Sequence, residues 1–90
     1  MGNTRISLQK FLSTIVPEKY PIISRVEVSE YFDDDFIVYL GVKYSDLYSK
    51  EPDDISLEKE IRNYVRNVSK FVTGNADMIR SVTFFDPDQS

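Results

Sequence analysis

The sequence predicts an α+β fold, a two-layer α-β-β-α-β sandwich in which two helices cover one face of a three-stranded sheet. Three observations support this prediction. Two stretches repeat apolar residues at helical spacing, three stretches read as strands, and each helical stretch has a single apolar stripe, so both are expected to pack on one face of the sheet. With 90 residues, the chain is expected to form one domain, residues 1–90, with residues 1–5 and 87–90 frayed.

The first predicted helix is short and amphipathic. Ser7 is a suitable N-cap, because its hydroxyl can accept a hydrogen bond from a backbone N–H of the first turn. Pro17 is expected to end the helix, because proline has no N–H and its ring clashes with the preceding turn. The apolar residues between these two positions recur at intervals of three and four: Leu8, Phe11, Leu12, Ile15 and Val16.

Two strands are predicted next, from Ile22 to Tyr31 and from Phe36 to Tyr44. The short acidic link between them makes an antiparallel hairpin. One face of each strand is expected to point at the helices, with Ser24, Val26 and Val28 from the first strand and Phe36, Val38, Leu40 and Val42 from the second. The opposite face of the second strand carries Ile37 and Tyr39, which is more apolar than a solvent face normally is.

A polar loop is predicted over residues 45–54, followed by a long helix that begins near Ser56 and ends at Gly74, a residue suited to the positive φ of a helix C-terminus. A third strand is predicted from Met78 to Phe85. It follows the second strand through the long helix, a crossover that is right-handed when the two strands are parallel, and the order of the strands is left open. The register of the third strand is also left open, since Val82 and Phe84 share one phase and Ile79 and Phe85 the other. The long helix has one apolar stripe: Leu57, Ile61, Tyr64, Val65, Val68, Phe71 and Val72.

The residues that are missing exclude many functions. The chain has no histidine, no cysteine and three scattered glycines. Histidine- or cysteine-based catalysis, zinc sites of those ligands and glycine-rich phosphate loops are therefore excluded. Acid–base chemistry with Asp, Glu, Lys or Tyr is still possible, but a small two-layer domain rarely encloses a deep cleft. We therefore expect no enzymatic activity and no cofactor.

Charge and composition restrict the partners and the location. The net charge of −4 argues against nucleic acid as a partner, and no apolar run is long enough to cross a membrane. The lack of cysteine and of a signal peptide predicts a cytoplasmic protein. Ala76 is the only alanine, a bias typical of the AT-rich genomes of many phages and some bacteria. If the protein is viral, the expected place is the host cytoplasm or the virion.

The order of the elements resembles that of the small cytoplasmic domain of cation diffusion facilitators, an α-β-β-α-β unit that dimerises. The segment Ser56-Leu57-Glu58-Lys59-Glu60, which opens the long helix, and Val82 to Pro87, which closes the chain, are similar to the last third of that domain. The family's domain uses histidines among its metal ligands, and this chain has none. The resemblance therefore implies an architecture and no metal site.

Two charged features are candidate sites. Acidic residues form three clusters, Glu30 with Asp33–Asp35, Glu51 with Asp53 and Asp54, and Asp86 with Asp88; carboxylates of this kind bind divalent cations or simply keep turns hydrated. The polar side of the long helix carries what we call the basic ridge. Its like charges one turn apart do not stabilise a helix, so it is a candidate site for an acidic protein partner: Lys59, Arg62, Arg66 and Lys70.

The sheet face without helices is the third candidate site. Ile37, Tyr39 and Phe85 are its candidate interface residues, because exposed apolar patches with aromatic residues mark association sites. A homodimer is the commonest way to bury such a patch. The sequence thus predicts a non-enzymatic, self-associating interaction or assembly module, of the kind found as phage accessory or structural components. The alternative is a regulatory or sensor domain that binds a partner or a divalent cation through its acidic loops.

Overall fold

The computed structural model describes residues 3–32, 35–48 and 56–88. Along the chain, the helices and strands are α1 (Asn3–Lys19), β1 (Ile23–Glu30), β2 (Phe36–Val42), α2 (Tyr44–Leu47), α3 (Ser56–Thr73) and β3 (Ile79–Phe85). A single 3-10 turn, Ala76–Met78, precedes β3. The predicted α+β fold is confirmed. Residues 3–5, for which fraying was predicted, form the first turn of α1.

The three strands form one mixed sheet in the order β1-β2-β3. β1 and β2 are antiparallel, as a hairpin requires, and β2 and β3 are parallel because α3 carries the chain back between them. α1 packs on β1 and on α3, and α3 packs on β3. Both helices therefore lie on one face of the sheet, as the single apolar stripe of each predicted. We call the other side of the sheet the open face.

The core lies between the helices and the sheet. On the sheet side, Val38 and Leu40 of the central strand are fully buried, and Val26 and Val28 of β1 are almost so. The helices contribute residues that are completely shielded from water: Leu8, Leu12, Val16, Ile61 and Val65. Leu57 and Val68 pack against this core from its margin. The predicted pairing of the long helix with these strands is therefore confirmed.

Two irregularities in strand pairing change which residues face the core. The register shifts between Ile23 and Arg25, so Ile23 is buried and Ser24 is exposed, contrary to the prediction that Ser24 points inward. The Ser24 hydroxyl instead donates a hydrogen bond to the Gly41 carbonyl at 3.3 Å. A second shift at the start of β3 brings Ile79 into the core on the same side as Val82. Bulges of this kind add a residue without reversing the rest of the strand.

α1 is longer than the sequence predicted at both ends. It begins at Asn3, so Ser7 is inside the helix and is not its N-cap. Pro17 lies within the last turn and does not end the helix. At that position proline removes one intrahelical hydrogen bond, the bond to the carbonyl of exposed Ser13, which water can bind. The Tyr20 N–H then closes the turn by donating to the Val16 carbonyl at 2.8 Å.

β2 is shorter than predicted because a short helix follows it. The strand ends at Val42, and Tyr44, predicted as its last residue, begins α2. Part of the predicted polar loop is therefore helical. Leu47 holds α2 in place, since its side chain is 3% exposed and belongs to the core. Residues 49–55 lie outside the described part of the chain.

α3 faces the sheet with a slightly different side from the one its apolar stripe indicates. Its buried line runs through Ile61, Val65 and Ser69, whereas Phe71, predicted to be in the core stripe, is 75% exposed. Ser69 fits this line because it is small and its hydroxyl donates to the Val65 carbonyl of its own helix at 2.6 Å. Gly74 follows α3 with a φ of 82°, as predicted for the residue that ends the helix.

A hydrogen bond between a tyrosine and a carboxylate fixes the end of α1 to α3. This bond makes the stability of the fold fall at alkaline pH. The Tyr20 hydroxyl donates to Glu60 Oε2 at 2.6 Å. Burial, and then the bond to the Glu60 carboxylate and its charge, raise the pKa of Tyr20 above its ordinary value of 10.0. The folded protein therefore keeps a proton that the unfolded chain loses above pH 10, so stability is full below that pH and falls above it.

We expect the urea midpoint to fall as the pH rises through 10 and above, and to fall less steeply in Tyr20→Phe, which has no phenol proton to lose at that position. Denaturation followed by circular dichroism at a series of alkaline pH values measures this. Equal slopes for the two proteins would mean that the Tyr20–Glu60 contact is not a source of the alkaline instability.

Candidate functional site

The three predicted interface residues lie together on the open face. Along the central strand, Ile37 and Tyr39 alternate with the core residues and so point away from the helices. Phe85 is opposite Gly41 in the parallel register, on the same side of the sheet as Tyr39. The register of β3, which the sequence left open, is therefore the one that groups these three residues. All three are partly exposed.

Gly41 makes room for Phe85. A Cβ atom at Gly41 would lie 3.2 Å from Cζ of the Phe85 ring, 3.1 Å from Cγ of Pro87 and 3.0 Å from Cβ of Arg25. These separations are tighter than ordinary contacts, so a side chain at this position would push its neighbours away. The ring of Phe85 thus lies over the backbone of β2, and Pro87 partly covers the same end of the open face.

The outer strands surround this apolar centre with polar side chains. Arg25 and Glu27 of β1 form an exposed ion pair at 2.9 Å, and Glu27 is opposite Tyr39. On β3, Ser81 is opposite Ile37 and Thr83 is opposite Tyr39. An apolar, aromatic centre with a polar margin is the arrangement typical of protein–protein interfaces.

The basic ridge is less continuous than the sequence predicted. Lys59 and Lys70 are exposed and Arg66 is partly buried. Arg62, by contrast, reaches over the side of the sheet, where its Nε donates to the Val82 carbonyl at 3.1 Å and its guanidinium lies 5.2 Å from the centre of the Phe84 ring. The helix thus positions Arg62 for contacts within the fold. The other three residues of the basic ridge, Lys59, Arg66 and Lys70, are at least partly exposed to solvent.

Two further residues hold Arg62, and sequence analysis did not identify them as a group. The Arg62 guanidinium forms an ion pair with Glu58, one turn earlier on α3. Glu58 Oε2 in turn accepts a hydrogen bond from the Tyr48 hydroxyl at 3.0 Å, and burial followed by this bond raises the pKa of Tyr48. The spacing of four residues is one that allows an ion pair on a helix surface, but nothing in the local sequence indicates that Tyr48 joins it.

Two of the described residues from the acidic clusters, Asp35 and Asp86, make contacts within the fold. Asp35 pairs with Arg80 at 3.5 Å, and the Arg80 guanidinium lies 4.6 Å from the centre of the Tyr31 ring. Asp86 accepts hydrogen bonds from the backbone N–H groups of Tyr44 and Asp88. Within residues 3–32, 35–48 and 56–88, no three acidic side chains come together as a metal site would require. Asp33, Asp34, Glu51, Asp53 and Asp54 lie outside the described residues.

Described residues line at least two surface clefts. The larger, about 510 Å³, runs along α1 between Arg5, Ile6, Gln9, Lys10, Ser13 and Thr14. The smaller, about 320 Å³, lies at the end of the sheet where Lys43, Asp46 and Asp88 meet. Lys43 and Asp88, whose charged atoms are 4.0 Å apart, are both mostly exposed. The charged groups at this cleft are therefore hydrated rather than buried.

No match to this chain was found among known proteins. No family model matches it, and no curated protein or solved structure proved similar to it. The resemblance to the cytoplasmic domain of cation diffusion facilitators is therefore not supported beyond the order of helices and strands. None of the helices formed by residues 3–19, 44–47 and 56–73 is long and apolar enough to span a bilayer.

Proposed function

We propose that this chain is a non-enzymatic interaction module that self-associates through the open face, as an accessory or structural component of a larger assembly. The observation that carries this proposal is the grouping of Ile37, Tyr39 and Phe85 on a sheet face that neither helix covers. Apolar and aromatic side chains grouped on a protein surface are stabilised when a partner removes them from water.

A second copy is the partner that the charges favour. Although the chain carries a net charge of −4, the charged side chains that β1 places at the margin of the open face, Arg25 and Glu27, neutralise each other. Two copies can therefore bring their open faces together without placing like charges at the centre of the contact. A dimer of ordinary stability would bury roughly 1,200–2,000 Å² in total.

Tyr39→Asp is the variant that tests this proposal. It places a negative charge at the centre of the open face, where two copies would bring two such charges together and remove both from water. We expect the wild type to have the mass of a dimer at micromolar concentrations and Tyr39→Asp to have the mass of a monomer. Sedimentation equilibrium or light scattering over a concentration series measures this mass.

Tyr44→Asp is the matched control, because it makes the same chemical change at an exposed tyrosine outside the open face, at the start of α2. We expect Tyr44→Asp to keep the wild-type mass. A wild type that remains a monomer throughout the series, or equal masses for the two variants, would overturn the proposal.

A further inference from the structure

The outer edge of β1 is closed by side chains of α1. β1 is an edge strand of the sheet. The Val28 N–H donates to Gln9 Oε1 at 3.1 Å, and the Arg5 guanidinium donates to the Val28 carbonyl at 3.4 Å. Both backbone groups of Val28 therefore point away from β2 and are already bound. Another strand cannot pair with β1 at Val28 unless these two hydrogen bonds are first broken.

The outer edge of β3 is closed in a similar way by Arg62. Val38 is opposite Val28, so its backbone groups point to the other side, towards β3. Val82 is opposite Val38 in the parallel register, and its own N–H and carbonyl consequently point outward. The Arg62 Nε donates to that outward carbonyl at 3.1 Å, and the ion pair with Glu58 and the contact with the Phe84 ring hold the side chain there.

The sequence of β3 is suited to pairing with itself. In an antiparallel pair of two β3 strands centred on Val82, the two Val82 residues exchange N–H···O bonds. Ser81 is then opposite Thr83, and Arg80, the one charged residue of Ile79–Phe85, is opposite Phe84 rather than another arginine. The carbonyl needed at the centre of this pair is the one that Arg62 binds.

We propose that Arg62 guards the outer edge of β3, and that this edge is a second association surface whose partner is β3 of another copy. While Arg62 binds the Val82 carbonyl, the central hydrogen bonds of a β3–β3 pair cannot form. When Arg62 is removed or drawn to another anion, two sheets can join into one of six strands. This inference does not rest on association through the open face, because that association uses a face of the sheet and this one uses an edge.

Arg62→Met tests whether the hydrogen bond from Arg62 to the Val82 carbonyl prevents pairing at the edge of β3. Methionine keeps an unbranched stem that can lie over Phe84 but has no donor for the Val82 carbonyl. We expect it to double the mass of the particle relative to its parent, both in the wild type and in the Tyr39→Asp variant, in sedimentation velocity over a concentration series. Hydrogen exchange should slow at the outward amide of Val82 as the concentration rises, because that amide becomes bonded.

Arg66→Met is the matched control, since it removes the same charge one turn further along α3. Within the part of the chain that the structure describes, Arg66 makes no hydrogen bond or ion pair, so this variant should keep the mass of its parent. Arg62→Ala, with a residue of high helix propensity, is measured in the same way if Arg62→Met does not fold. An unchanged mass on loss of Arg62, doubling in Arg66→Met as well, or doubling without protection of Val82 would each overturn the proposal.

Discussion

Leu40→Asp is expected to unfold the domain at 25 °C. Leu40 is fully buried in the central strand, opposite Val26 on one side and Phe84 on the other. A carboxylate there would have no cationic or hydrogen-bonding partner, and burying an unpaired charge costs several kcal/mol. Domains of this size are stable by only about 5–15 kcal/mol in total. Circular dichroism and thermal melting measure the result, which we expect to be a spectrum without a cooperative transition.

The adjacent residue provides the control for this experiment. Tyr39 directly precedes Leu40 in β2 but points to the open face, so Tyr39→Asp should keep a native spectrum and a cooperative transition. The two variants differ by one position and carry the same new side chain. If Leu40→Asp melted like the wild type, the assignment of the two faces of β2 would be wrong.

Ile61→Ala is expected to lower the free energy of unfolding by about 2–5 kcal/mol, the range for truncating a large buried aliphatic side chain. Ile61 is fully shielded and lies on the line of α3 that faces the sheet. Removing its outer atoms would leave a cavity that the surrounding strands cannot fully close. Urea denaturation measures the change through the midpoint and the slope of the transition.

Phe71→Ala is the comparison that makes this result specific. It removes a larger apolar side chain from the same helix, but Phe71 is 75% exposed, so we expect a change within about 0.5 kcal/mol. The order of these two effects checks the orientation of α3. A larger loss in Phe71→Ala than in Ile61→Ala would contradict the position of the helix on the sheet.

Periodicity was sufficient to predict the main elements and that both helices pack on one face of the sheet, but not the order of the strands or the details that long-range packing determines. The alternation in β1 placed Ser24 inward, and only its pairing with β2 shows the shift that replaces it with Ile23. In the same way, the apolar stripe of α3 included Phe71, whereas contact with α1 and β3 turned the helix towards Ser69. A stripe indicates which side of a helix is apolar, but its neighbours decide which residues reach the centre.

The same distinction between local pattern and long-range packing applies to the residues of the candidate site. Ile37 and Tyr39 were identified from the sequence, because alternation within a single strand is a local property. Phe85 could not be placed on their face until the register of β3 was known. The role of Arg62 was missed because its acceptor is a backbone carbonyl 20 residues away, and no side-chain pattern indicates such a bond.

The parallel pairing of β2 with β3 also has a consequence for how the chain folds. Only five residues, 31–35, separate β1 from β2, so their pairing closes a small loop. The contact between Val38 and Val82, by contrast, joins residues from distant parts of the chain. Closing the larger loop costs more entropy, so we expect the hairpin to form first and β3 to dock last. Until β3 docks, the apolar central strand has an unpaired edge. During synthesis that edge stays unpaired until β3 has been made. This is the interval in which binding of a chaperone would protect the chain most.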